Sequence, residues 1–143
     1  MNVKTILSGK GSDIVTIDPN AGLDAAIATL AKHRIGALVV LGADRRVIGI
    51  LSERDIVRTL AEFGAEALAK PVAQVMTRKV VTCGEADTVV VIMERMTAGK
   101  FRHVPVVEHD QLIGIVSIGD VVKHRLQEME YESAALRDYI QTA

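Results

Sequence analysis

The sequence predicts a mixed α/β fold of the α+β type, in which two copies of one strand-helix-strand-strand-helix unit pack together and a helix follows at the C-terminal end. Three observations predict it. A motif occurs twice, as Gly49-Ile50-Leu51-Ser52-Glu53-Arg54-Asp55 and as Gly114-Ile115-Val116-Ser117-Ile118-Gly119-Asp120. The surroundings align at a constant offset: Thr16 with Thr82, Leu23 with Val89, Leu30 with Met96 and Ile35 with Phe101 are 66 residues apart. Gly49, Ser52 and Asp55 precede Gly114, Ser117 and Asp120 by 65. The residue missing from the second copy falls between segment 42–46 and its counterpart 108–111, so a turn changes length while the flanking strands keep register. Lastly, apolar residues change period along each copy, from helical spacing to continuous runs.

Taken in order, Val3-Lys4-Thr5-Ile6-Leu7 and Val72-Ala73-Gln74-Val75-Met76 read as short helices leading into the copies. Val15-Thr16-Ile17 and Val81-Thr82-Cys83 read as short strands. Leu23, Ala26, Ile27, Leu30 and Ala31 mark one helical face, and Val89, Ile92, Met93 and Met96 mark the same face in the second copy, with Thr88 at the N-cap. Ala37-Leu38-Val39-Val40-Leu41 and Val47-Ile48-Gly49-Ile50-Leu51 are strands apolar on both faces and therefore buried between layers. Val104-Pro105-Val106-Val107 and Leu112-Ile113-Gly114-Ile115-Val116 repeat them. Closing helices run from Asp55 to about Phe63 and from Asp120 onward. Residues 64–71 read as a linker. Units of this size bury such strands poorly alone, so two packed units are the stable form. The expected division is 1–67 for the first repeat with its lead-in helix, 68–129 for the second, and 130–143 for a helical tail. Leu126, Met129, Leu136, Tyr139 and Ile140 are apolar positions of the last helix; they suit either a helix lying on its own domain or a self-association surface.

Composition removes several functions. Of the 143 residues 49% are apolar and the net charge is −1, which gives no global field for a nucleic-acid backbone. Two Phe, two Tyr and no Trp supply little base stacking. No apolar run approaches membrane-spanning length. Met1-Asn2-Val3-Lys4 leads into no signal-type segment, so the cytoplasm is expected. The single cysteine, Cys83, allows no internal disulfide and no cysteine-based metal site, and is expected to be half-buried near a strand end. Gly9-x-Gly11 lacks the rest of a dinucleotide fingerprint and reads as a loop. Neither metal-ligand spacing nor a nucleophile-base pair points to an enzyme.

Ser-x-x-Asp after an apolar strand has two readings. It is a capping box, the Ser at the N-cap and the Asp three residues on. A helix N-terminus carrying a hydroxyl and a carboxylate is also a place to hold a phosphate and a ribose. Two in-register copies of strand-helix-strand-strand-helix ending in Gly-h-h-Ser-x-x-Asp, with Ile35-Gly36-Ala37-Leu38-Val39-Val40 and Phe101-Arg102-His103-Val104-Pro105-Val106-Val107, resemble a tandem pair of CBS domains, the module named after cystathionine β-synthase. The resemblance covers about residues 3–129. It implies a disc-like pair with two clefts about a pseudo-twofold axis, adenosine ligands such as AMP, ADP or ATP, and pairing of two chains. NAD(H) and S-adenosylmethionine share the adenosine.

The resemblance assigns Asp55 and Asp120 to the ribose hydroxyls, Ser52 and Ser117 to ribose or phosphate, and the neighbourhood of Thr16 and Thr82 to the base. Because the repeats share each cleft in that family, Ser52 and Asp55 are grouped with Thr82, Arg102 and His103, and Ser117 and Asp120 with Thr16 and Ala37. Lys100, Arg102 and His103 supply cationic groups for a phosphate, Arg102 being capable of a bidentate contact. Arg54 adds a cation to the first cleft; Gly119, its equivalent, leaves room for close backbone approach. The expected function is a regulatory adenosine-nucleotide module acting on an unidentified partner protein. The rival is a ligand-free interaction or dimerisation scaffold whose Ser-x-x-Asp motifs only cap helices.

Overall fold

A computed structural model describes residues 1–10 and 14–142. Helix α1 (Val3–Lys10) opens the chain. The first repeat is β1 (Thr16–Ile17), α2 (Leu23–His33), β2 (Ala37–Leu41), β3 (Val47–Ser52) and α3 (Glu53–Phe63). The second follows with α4 (Val72–Val75), α5 (Val89–Gly99), β4 (His103–Glu108), β5 (Gln111–Ser117) and α6 (Ile118–Thr142). Strand β1 is parallel to β2, and β2 is antiparallel to β3. In the second repeat β4 and β5 pair antiparallel, with Ser117 opposite His103 just as Ser52 lies opposite Ala37. Both hairpins carry an irregularity at the equivalent place, between Val40 and Leu41 and between Val106 and Val107. Thr88 caps α5 as predicted, its hydroxyl accepting from the Val91 amide at 3.2 Å.

The repeats differ where the sequence lost a residue. Asp44 and Arg45, at φ 56° and 57°, turn β2 into β3, and in the connection shorter by one residue His109 and Asp110, at φ 52° and 61°, turn β4 into β5. Two consecutive positive φ values match the twist of the strands that such a tight hairpin joins. The expected strand 81–83 is reduced to one parallel bridge, Cys83 to Val106. Asp87 and Glu108 accept the amides of Gly84 and Glu85, each at 2.8 Å, and turn the chain away directly after the bridge. Cys83 is buried rather than half-buried, and burial pushes its thiol up to about 12. The expected linker is structured: Gly64–Ala69 forms a 3-10 helix and buries Ala67. Ala31, placed on the apolar face by spacing, is exposed. Gly9 lies in the last turn of α1 rather than in a loop; Gly11 lies outside the described residues.

Each repeat has its own core, and the lead-in helices cross between them. Val72, Val75 and Met76 pack with Leu23, Leu38 and Leu51 of the first repeat. Val3 and Ile6 of α1 pack with Val89, Ile92, Val104 and Val116 of the second. Fully burying one such side chain contributes about 1.5–3 kcal/mol, so the crossing ties the repeats into one unit. It also explains the glycine of the repeated motif. A Cβ at Gly49 would collide with the Met76 side chain, and one at Gly114 with the Leu7 side chain. The strand must be bare where the crossing helix lies on it.

Candidate ligand cleft

The hydroxyl of Ser52 accepts from the Asp55 amide at 3.3 Å, and Asp55 Oδ2 accepts from the Ser52 amide at 3.0 Å. Ser117 and Asp120 repeat this at 3.2 and 2.9 Å. Both motifs are therefore complete capping boxes. Each helix start is further held by the strand beside it: the Glu53 amide donates to the Gly36 carbonyl, and the Ile118 amide to the Arg102 carbonyl.

A cavity of about 840 Å³ opens above the first capping box. Segment 77–81 forms one wall, fixed by reciprocal backbone hydrogen bonds between Thr77 and Ile50 at 2.9 and 3.0 Å. Segment 99–103 of the second repeat forms the other. The lining brings together Ser52, Arg54, Asp55, Lys100, Arg102 and His103, all six named from the sequence. Arg54 reaches across the repeats and donates to the Lys100 carbonyl at 3.1 Å. Sequence reasoning missed Arg58, Thr77 and Lys79, which also line it. Arg58 was visible as the i+3 neighbour of Asp55. Thr77 and Lys79 precede the second repeat's first strand, and nothing local marks that segment as a wall. Ala37, grouped from the sequence with Ser117 and Asp120, lines this first cavity instead, beside its cross-strand partner Ser52. Thr82 does not line it; its carbonyl accepts from Arg95. Thr16 lies within β1, paired with Val39, and is likewise absent from the lining.

Asp55 is 3% exposed. Its Oδ2 serves the capping box; its Oδ1 accepts from Arg58 at 2.7 Å and from the Thr77 hydroxyl at 3.1 Å. Arg58 and Thr77, the partners of Oδ1, and Ser52, the partner of Oδ2, all line the cavity. The Arg58 side chain is 66% exposed and free to yield its place. Asp120 is served differently. Lys10, from α1, donates to Asp120 Oδ2 at 2.7 Å and to the Ile115 carbonyl at 2.8 Å. Burial alone would raise the Asp120 carboxyl; the hydrogen bond and charge of Lys10 and the Ser117 donors outweigh it and hold the group below its ordinary value. A side chain at Gly119 would meet only Ser117 Oγ, at 3.6 Å, so no other described atom crowds that position.

His103 lines the cavity and lies opposite Ser117 in the β4–β5 pair. Burial lowers its pKa first; Lys10 and Arg102 lower it further, against Glu53 and Asp120, which raise it. The imidazole is thus biased to the neutral form beside a cluster of fixed cations. Five cationic side chains line the cavity (Arg54, Arg58, Lys79, Lys100 and Arg102) against two acidic ones, Glu53 and Asp55. With the N-terminus of α3 added, the site suits an anionic ligand that also carries hydroxyl donors. Among the described residues no cluster of His, Cys, Asp and Glu is arranged to hold a metal, and no helix is long and apolar enough to cross a membrane.

The sequence model of the CBS domain matches residues 5–62 and 72–127. The crystal structure of the CBS-domain containing protein ATU1752 from Agrobacterium tumefaciens is 49% identical, with a TM-score of 0.84 over 87% of this chain and 99% of that one. The CBS domain pair of protein MJ0100, crystallised with 5′-methylthioadenosine and S-adenosyl-L-methionine, is 27% identical, with a TM-score of 0.79 over 90% of this chain and 98% of that one. CBS domain-containing protein CBSX3, mitochondrial, of Arabidopsis thaliana is 36% identical over 120 residues, 81% of this chain and 58% of its own length. The chain spans less than two thirds of the length of the first curated relatives it matches.

Proposed function

The chain belongs to the CBS domain family, and from that premise we propose that it is a regulatory, non-catalytic module that binds an adenosine nucleotide of the AMP, ADP or ATP type in the cleft headed by Ser52 and Asp55. The observation that carries the proposal is the cavity itself, lined from both repeats by the Asp55 carboxylate and five cationic side chains. Ribose hydroxyls donate to Asp55 Oδ1 in place of Arg58 and Thr77. The phosphate meets Arg102, Lys100 and the released Arg58. The cation surplus favours a phosphate over the sulfonium of S-adenosylmethionine, the ligand of the MJ0100 pair. Because the walls come from different repeats, a ligand that draws them together biases their relative position. A partner protein reads that change, and two chains associate through the C-terminal helix. The buried, protonated Cys83 suits the reducing cytoplasm, the compartment proposed for it.

The second reading is a scaffold without ligand, favoured by the completeness of both capping boxes. Mass spectrometry of small molecules released on denaturation, followed by calorimetric titration with AMP, ADP, ATP, NAD(H) and S-adenosylmethionine, separates the two. Saturable binding of a phosphorylated adenosine compound, lost in Asp55→Ala, supports the nucleotide module. No released adenosine compound and no heat with any of the five establishes the scaffold.

A further inference from the structure

Helix α6 continues past the body of the second repeat, and from Met129 to its end every residue is exposed. Most of its exposed apolar residues fall in one row, with Ile118, Tyr131 and Tyr139 outside it. Val122, Leu126, Met129, Leu136 and Ile140 are 47, 56, 51, 59 and 65% exposed. With Ser133 they follow a strict alternation of four and three residues. That is the 3.5-residue period of a helix paired with another helix, not the broader stripe of a helix lying on a domain.

We infer that α6 pairs with α6 of a second copy as a parallel, in-register two-stranded coiled coil, with Leu126, Ser133 and Ile140 at one set of seam positions and Val122, Met129 and Leu136 at the other. The flanking charges select this arrangement. In a parallel pair, Arg125 of one copy faces Glu130 of the other, and Glu132 faces Arg137. Antiparallel pairing over the same length sets Glu130 against Glu130, Glu132 against Glu132 and Lys123 against Arg137. Within one chain Arg125 lies 3.3 Å from Glu128 and 3.8 Å from Glu132, the latter the equivalent flanking position seven residues on. The polar positions carry both signs, which does not suit an anionic membrane surface. The inference rests on the proposed association of two chains and adds its geometry; it is independent of the ligand reading.

The test uses the full chain with Ile140→Cys. Parallel in-register pairing sets the two introduced thiols side by side, whereas the antiparallel arrangement separates them by about 27 Å at 1.5 Å per residue. Cys83 does not compete, being buried and protonated. Under mild oxidation the variant is expected to become almost wholly cross-linked, and a second change, Leu136→Asp, to reduce the yield at least tenfold. Leu136 is exposed, so the change leaves the fold intact, which the circular dichroism spectrum checks. Light scattering on the parent is expected to give twice the 15.4 kDa chain mass. A dimeric mass without cross-linking overturns the coiled coil and leaves association to another surface. A monomeric parent overturns both.

Discussion

Asp55 and Asp120 occupy the same turn of two equivalent helices and close the same capping box, yet they are neutralised from different places. Asp55 is shut in, 5% exposed at the side chain, and takes its cation from Arg58 one turn along its own helix. Asp120 is 22% exposed at the side chain and takes its cation from Lys10, at the far end of the chain. Duplication has kept what the backbone dictates: the cap, the bare motif glycine, the strand irregularity, and the left-handed residue closing the first helix, Arg34 and Lys100 at φ 54° and 58°. It has let diverge what side chains from other elements supply. A capping box lies within four residues and survives as a unit, whereas a cleft is an agreement between distant segments and each segment drifts separately.

The largest expected effect tests the difference in burial. Asp55→Ala leaves Thr77, Arg58 and the Ser52 amide without an acceptor, and is expected to cost about 3 kcal/mol; Asp120→Ala loses a cap and a half-exposed ion pair, about 1 kcal/mol. Urea denaturation of the two variants checks the order. Equal losses would mean that the two carboxylates are alike and the comparison is wrong.

Ligand binding sharpens it next. Arg102, in the first cleft, has Gly36 as its equivalent in the first repeat. Arg102→Ala is expected to weaken AMP about tenfold, some 1.4 kcal/mol, while adenosine binding holds, because a charge-assisted contact to phosphate is lost. The parent's preference for AMP over adenosine is expected to shrink as salt rises. An AMP preference that survives the substitution removes Arg102 from the phosphate site.

Lys10→Met addresses the second capping box. The exposed geometry limits its cost to about 0.5–1 kcal/mol near neutrality. Asp120 is lowered in the folded protein from 3.8, so the stability it contributes is complete above that value and disappears as pH falls through the folded one. Thermal melts of parent and variant should therefore converge in acid and separate toward pH 6. A gap that does not change with pH means Lys10 acts by packing alone.

The smallest effect concerns His103, which lines the cavity with Asp55 and feels the charge of Asp120. Its pKa is lowered in the folded protein, so between the folded value and 6.5 the unfolded chain binds more protons, and protonation there works against folding. A phosphate placed beside it favours the charged imidazole, so binding takes up a proton and tightens as pH falls toward the free protein's lowered value, below 6.5. The expected gain is about twofold to fivefold per unit, absent in His103→Gln. Calorimetry in buffers of different ionisation enthalpy measures the proton directly; no uptake places His103 outside contact with the phosphate.

The sequence by itself determined the duplication, the order of elements, the capping boxes and six residues of the first cleft. Each is local, or is repeated locally at a fixed offset, and hydrophobic period, capping chemistry and turn length are local properties. The reach of Lys10 to Asp120, the wall made by Thr77 and Lys79, the place of Ala37 and the crossing of α1 and α4 were decided only by the tertiary structure. The lead-in helices bury their apolar faces on whichever strand is left bare, and in each case that strand belongs to the other repeat. No spacing in the chain encodes that choice, because it is made by the shape of two packed surfaces.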